Sequence, residues 1–234
     1  MAGPVALVGS GEYLPVMMEM EAGLMAGRPP RYVQLPTAAG QEGPGSLGRW
    51  VGLGADQAER LGVEAVAVMA IDRASAEDPD LAAQVGGAGL IYLSGGSPPY
   101  VADTLRDTLV WKAIRREWEA GAALAGCSAG AIALTDWVPN IRRPEAPARA
   151  GLGVVKALRV LPHFDRMAKW APQMADSIAH VLPAGVTLVG VDEETAIVSD
   201  GIDMSHWVVH GRQAAWVFGP DGRTPYRAGE EIHL

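Results

Sequence analysis

The stretch LAGCSAGAIAL, residues 124–134, has the residue types of a nucleophile turn between a strand and a helix. In the pattern G-x-S-x-G the central residue lies on a sharp turn, and its neighbours are small because bulky side chains would collide with the strand and the helix. The frame GCSAG places Ser128 at the centre. A turn centred on Cys127, the single cysteine, would be flanked by Ala125 and Ala129, which meet the steric demand less well. The spacing favours Ser128 as the nucleophile, and a plain helix start rich in small residues stays open as the alternative.

A serine needs a base within hydrogen-bond reach, and the chain has five histidines. His163 follows an apolar run in RVLPHFDRM, where a strand's carboxyl end would direct it to the mouth of a sheet. Ligands of open α/β sheets bind at that edge, so His163 is the predicted base, with a surface-loop histidine as the alternative.

Two backbone N–H groups are expected to stabilise the oxyanion. The residue after the nucleophile, Ala129, supplies one. The second is expected from the glycine pair Gly95 and Gly96 in YLSGGSPPY, since glycine lets the backbone approach a substrate closely. An ordinary strand-to-helix turn would explain that glycine pair equally well.

These residues need a scaffold, and the chain alternates apolar runs with stretches of helical length. Such alternation predicts a mainly parallel α/β sheet covered by helices on both faces. After residue 185 the apolar runs are closely spaced, which predicts antiparallel strands added to one edge of the sheet. We expect one domain over residues 1–234. The predicted strands are 4–9, 31–36, 63–69, 89–96 and 121–126, and the predicted helices are 14–27, 46–61, 77–86, 99–120 and 128–135.

Composition narrows the functional classes. A net charge of -8 argues against a nucleic-acid partner. The sequence shows neither a signal-peptide pattern nor a long apolar run, so we expect no membrane association. One cysteine forms no internal disulfide, which fits a cytoplasmic location. The stretch VGSGEY near the start lacks the third glycine and the lysine of nucleotide-binding loops, so we do not expect it to bind a nucleotide. We expect most of the seven tryptophans to lie in the core or at a dimer interface, so a homodimer is one expectation.

Taken together, the motifs resemble the serine peptidase family of cyanophycinase and aspartyl dipeptidase, whose fold is similar to that of class I glutamine amidotransferases, a flavodoxin-like sheet. The resemblance is carried by VGSGEY, YLSGGSPPYVADTL, GCSAGAIAL, GLGVV, LPHFDR and VGVDEETAIV. The last of these stretches is closer to the cyanophycinase branch.

The resemblance implies Ser128 as nucleophile, His163 as base, and Gly96 and Ala129 as oxyanion donors. It also implies an acid between the nucleophile and the histidine. Glu145 is preferred for that role and Asp136 is the alternative. The resemblance implies no metal or organic cofactor.

The resemblance implies the type of reaction better than it implies the substrate specificity. Substrate contacts are expected at Gly95, Ser97 and Arg166, yet Ser97-Pro98-Pro99 stands where the family commonly has polar side chains, and the family's arginine-rich run is reduced to Arg166 and Lys169. The implied activity is cleavage of a peptide or isopeptide bond next to an aspartyl residue in a small peptide substrate. The alternatives are an amidotransferase-like amide hydrolase using Cys127 and a non-catalytic binding protein with the same fold.

Overall fold

The central sheet of the computed structural model has eight strands. The structure describes residues 1–140, 147–170, 172–180, 182–202, 204–220 and 222–234. Five short strands are parallel, in the spatial order β1-β5-β4-β2-β3, and all of them except β3 at the edge are rich in buried apolar side chains. They are β1 (Val5–Val8), β2 (Arg31–Leu35), β3 (Glu64–Ala67), β4 (Leu90–Leu93) and β5 (Ala123–Cys127).

Helices cover both faces because successive side chains of each strand point to opposite sides. Leu7 of β1 packs into the larger apolar core and its neighbour Val8 into the second core, on the side of the first two helices. This arrangement confirms the predicted fold class. The helices are α1 (Met18–Met25), α2 (Pro44–Leu61), α3 (Arg73–Ala76), α4 (Pro79–Gln84), α5 (Pro98–Leu105), α6 (Leu109–Glu119), α7 (Ala129–Leu134), α8 (Phe164–Trp170) and α9 (Pro172–His180).

The C-terminal strands divide between two sheets. Strands β10 (Thr195–Ser199), β11 (His206–Gly211) and β14 (Glu231–His233) extend the central sheet from β1 as antiparallel strands, in agreement with the sequence. A second sheet, which the sequence did not predict, has the order β13-β12-β9-β8. Its members are β8 (Leu158–Leu161), β9 (Thr187–Val191), β12 (Ala214–Gly219) and β13 (Gly222–Arg227).

Two segments differ from the elements that the sequence predicted. The helix predicted over 99–120 is interrupted, because Asp107 adopts a φ of 66° and the Thr108 hydroxyl accepts a hydrogen bond from the Trp111 N–H, which begins α6. Residues 137–153, where neither a strand nor a helix was predicted, include a two-stranded ribbon of β6 (Trp137–Val138) and β7 (Arg149–Ala150). In the part of the chain that the structure describes, no helix is both long enough and apolar enough to cross a membrane.

Candidate active site

Ser128 lies at the apex of a strained turn between β5 and α7. Its φ of 50° and ψ of -106° are rare for a residue with a side chain, and such strain is typical of functional turns. The glycines on either side make the turn feasible. A Cβ on Gly126 would lie 2.5 Å from the Gly130 carbonyl carbon, and a Cβ on Gly130 would lie 2.3 Å from the Leu93 carbonyl oxygen. The two glycines therefore allow the close backbone approaches of the tight strand-to-helix turn that was expected from the sequence.

His163 and Glu193 meet because each follows a strand of one parallel pair. Strands β8 and β9 pair in parallel, with Leu161 opposite Gly190, so their carboxyl ends lie at the same edge of the second sheet. His163 comes two residues after β8, and Glu193 comes two residues after β9. The His163 N–H donates to the Gly9 carbonyl just beyond β1, which brings this edge to the carboxyl end of the central sheet.

The side chains form a continuous chain of hydrogen bonds. His163 Nε2 lies 3.0 Å from the Ser128 hydroxyl oxygen, and His163 Nδ1 lies 2.8 Å from Glu193 Oε1. The second carboxylate oxygen of Glu193 accepts from Arg166 Nε at 2.9 Å, and the Glu193 N–H donates to Asp165. This is the geometry of a serine, an imidazole base and an acid that orients the base.

The carboxylate that contacts His163 belongs to Glu193, a residue that was not considered as the acid from the sequence. Both ring nitrogens of His163 are engaged, by Ser128 and Glu193. Asp136 is exposed and interacts electrostatically with Arg159 instead, while Glu145 lies outside the described residues. The resemblance implied an acid that precedes the histidine in the chain. Glu193 follows the histidine in the chain, and it lies just after β9, the parallel neighbour of β8.

A usable signal for Glu193 was present in the sequence. It lies in VGVDEETAIV, where an acidic run directly follows a buried apolar run. Its neighbour Asp192 is buried and accepts hydrogen bonds from the Trp216 indole and the Ala214 N–H. Burial raises the pKa of Asp192. Only Glu193 of this pair contacts the histidine, so the two carboxylates have different environments.

The predicted oxyanion donors lie beside Ser128. A Cβ on Gly95 would lie 3.5 Å from the Ser128 Cβ, so the glycine loop runs next to the turn. Among the described residues, neither the Gly96 N–H nor the Ala129 N–H donates to a protein acceptor. Gly96 has a φ of 140°, and a Cβ there would lie 2.4 Å from the Ala38 carbonyl oxygen, so glycine is required.

Glu12, which the sequence reasoning missed, connects the loops around the site. It lies in VGSGEY after β1. Its Oε1 accepts from the Gly95 N–H at 2.9 Å, and its Oε2 accepts from the Cys127 thiol at 2.8 Å. One carboxylate thus fixes the glycine loop relative to the residue preceding Ser128.

Cys127 has the environment of a packing residue. It is fully buried between β5 and the helices of the second core. Burial, reinforced by the adjacent Glu12 carboxylate, raises the pKa of its thiol well above the ordinary value. Because the thiolate is the reactive form, this environment opposes nucleophilic attack by Cys127.

A cavity of about 650 Å³ opens at the Gly96 end of the site. Its walls include the predicted contact residue Ser97, the two prolines that follow it, and the charged side chains of Glu42 and Arg149. Arg166, also predicted as a substrate contact, is exposed and donates from its guanidinium group to Glu193. The structure therefore places Ser97 on the cavity wall and pairs Arg166 with Glu193.

Comparison with known proteins identifies the family. The profile described as peptidase family S51 matches residues 6–206. The chain belongs to peptidase family S51. This confirms the resemblance drawn from the sequence motifs.

Relatives of this S51 chain include cyanophycinases. Those of Synechococcus elongatus and Thermosynechococcus vestitus are each 30% identical over 170 residues, which are 69% of this chain and 50% of the relative. That of Trichormus variabilis is 27% identical over 182 residues, covering 74% of this chain and 59% of the relative. The chain spans about half the length of the first two cyanophycinases.

Solved structures share the fold. The crystal structure of a peptidase from an acI-B1 Actinobacterium has a TM-score of 0.91 at 40% identity, covering 100% of this chain and 98% of the other. A putative peptidase E from Listeria monocytogenes has a TM-score of 0.66 at 16% identity, covering 91% of this chain and 100% of the other. At that identity the second similarity concerns the fold alone.

Proposed function

We propose that this S51 chain is a serine peptidase with Ser128, His163 and Glu193 as its catalytic triad. The observation that carries the proposal is the hydrogen-bond chain of 3.0 Å and 2.8 Å that joins the three side chains. In this mechanism His163 Nε2 takes the hydroxyl proton as Ser128 Oγ attacks the substrate carbonyl carbon. Glu193 holds Nδ1 protonated and stabilises the imidazolium that forms.

The tetrahedral intermediate carries a negative oxygen, which the N–H groups of Gly96 and Ala129 stabilise. When the intermediate collapses, the scissile C–N bond breaks and His163 gives its proton to the leaving amine. Water then attacks the ester on Ser128 with His163 as base, which releases the acid and restores the serine. Apart from the substrate and the attacking water, the groups that act in these steps belong to the chain itself.

The proposed substrate is a small peptide or isopeptide with the scissile bond next to an aspartyl residue. Relatives named cyanophycinase support this class. The cavity beside Gly96 supports it further, because Arg149 on its wall can pair with a substrate carboxylate and Glu42 with a cationic group. Arg149 already pairs with Asp103 at the protein surface, so a substrate carboxylate would share this cation with Asp103.

A matched set of dipeptides tests this specificity. We expect turnover of α-aspartyl or β-aspartyl dipeptides to exceed that of the asparaginyl and alanyl equivalents, and to vanish in Ser128→Ala. Arg149→Gln should raise KM for the aspartyl substrate and leave KM for the neutral one unchanged. The control is Arg115→Gln, an exposed residue of α6 paired with Glu119. Equal turnover of acidic and neutral dipeptides would refute the aspartyl specificity and leave the triad intact.

A further inference from the structure

Three potential metal ligands share one face of the outer edge of the central sheet. Strands β11 and β14 pair antiparallel, with Trp207 opposite Ile232 and His206 opposite His233. Trp207 and Ile232 are buried in the core. Because side chains alternate along a strand, His206 and His233 lie together on the opposite face, with Glu231 two residues before His233.

The donor atoms of these side chains converge. His206 Nε2 lies 3.2 Å from Glu231 Oε2, and His233 Nε2 lies 3.4 Å from the same oxygen. One ligand atom from each of the three residues lies within 4.8 Å of the other two. Zinc binds nitrogen and oxygen ligands at about 2.0 to 2.1 Å in a tetrahedron, whose donor atoms are therefore about 3.3 to 3.4 Å apart. The two measured nitrogen to oxygen separations match that spacing.

The unpartnered ring nitrogen of His206 favours a bound ligand at this position. Its Nε2 is buried and, within the described part of the chain, has no hydrogen-bond partner, so the 3.2 Å approach of Glu231 lacks hydrogen-bond alignment. A buried polar atom without a partner is unfavourable. A metal ion bound by both residues would satisfy this nitrogen and the carboxylate together.

We propose that His206, Glu231 and His233 form a binding site for a divalent transition metal ion of the zinc class. Two imidazoles and one carboxylate suit this class, and the fourth tetrahedral position is open to water. In the strand order, β11 and β14 are three and four strands from β5, which carries the Ser128 turn, or about 14 to 19 Å across the sheet. The site is therefore separate from the triad.

The proposed role of the ion is to fix β14 on the sheet. This strand has three residues and forms the outer edge, so few backbone hydrogen bonds hold it. An ion ligated from both β11 and β14 crosslinks the pair.

Titration of Zn²⁺ alone into the chelator-treated full chain tests this proposal. We expect about one equivalent to bind by calorimetry, and binding to be lost in His206→Ala, Glu231→Gln and His233→Ala. The control is His180→Ala, an exposed histidine of α9, which should bind as the wild type does. Hydrogen exchange of the β14 amides should slow on adding Zn²⁺ in the wild type and the control only.

Two results would overturn the proposal: a wild-type chain that binds no Zn²⁺, or binding that persists in all three variants. Circular dichroism checks that each variant folds. If His206→Ala unfolds, the exposed positions Glu231 and His233 carry the test. Turnover and Ser128 labelling should be the same in Glu231→Gln as in the wild type, which separates this site from the triad.

Discussion

Replacing Glu193 by glutamine should disable the base while changing the shape of the site very little. In the wild type one carboxylate oxygen accepts from His163 and the other from Arg166. Glutamine has one acceptor oxygen and one amide donor, so it cannot accept from both. If its oxygen faces Arg166, its NH₂ group faces His163 Nδ1 and favours the tautomer whose Nε2 carries the proton. That tautomer cannot accept the Ser128 proton.

The expected loss follows from this tautomer and from the missing negative charge beside the imidazolium. The corresponding change in a well-characterised Ser-His-Asp triad lowers kcat about 10⁴-fold, so we expect a loss of about 10³- to 10⁴-fold here. At about 1.4 kcal/mol per factor of ten, that is about 4 to 5.5 kcal/mol of transition-state stabilisation. Asp136→Asn and Glu145→Gln are the matched controls and should retain wild-type activity.

The second-order rate of Ser128 labelling by a fluorophosphonate measures this effect without a known substrate. Adding Arg166→Met to Glu193→Gln should restore part of the rate, because the amide oxygen is then free to face His163. In the wild-type background Arg166→Met should lower the rate far less than Glu193→Gln does. Labelling of Glu193→Gln within about tenfold of the wild-type rate would refute this role of Glu193. A large loss in Asp136→Asn or Glu145→Gln instead would also refute it.

Three further predictions concern Cys127, Glu12 and Glu21. Cys127→Ser keeps the donor to Glu12 and should leave turnover within about threefold, whereas a cysteine nucleophile would lose orders of magnitude in the same assay. The glutamine of Glu12→Gln cannot accept hydrogen bonds from both Gly95 and Cys127, so kcat should fall about 10- to 100-fold. Circular dichroism should show an intact fold. An unchanged kcat would contradict the positioning role of Glu12. Burial raises the pKa of Glu21 from 4.5 to about 7. The folded chain therefore holds this proton more tightly than the unfolded chain does. As the pH rises from 4.5 to 7, the free energy of unfolding in urea should fall by about 3 kcal/mol more in the wild type than in Glu21→Gln. Parallel pH profiles of the wild type and Glu21→Gln would contradict that prediction.

Local patterns predicted the elements that the parallel sheet requires. The strand before Ser128, the small residues around it and the apolar run before His163 are all short-range signals. The expected strand at 121–126 corresponds to β5 (Ala123–Cys127), and α2 (Pro44–Leu61) lies where a helix was expected. Such signals succeed because they reflect steric and burial requirements within a few residues.

The missed features depend on contacts between distant segments. Glu193 reaches His163 only because β8 and β9 pair in parallel in a second sheet, and no local pattern specifies that pairing. Glu12 acts across more than 80 residues, through the Gly95 N–H. The break before α6 did have a local signal, since Thr108 is a favourable residue to begin a helix.

Intact-mass and peptide mass spectrometry after fluorophosphonate treatment tests the central claim most directly. We expect one adduct, located on Ser128, absent in Ser128→Ala and formed orders of magnitude more slowly in His163→Ala and Glu193→Gln. An adduct on another residue, or equal labelling of the wild type and the His163→Ala variant, would contradict it.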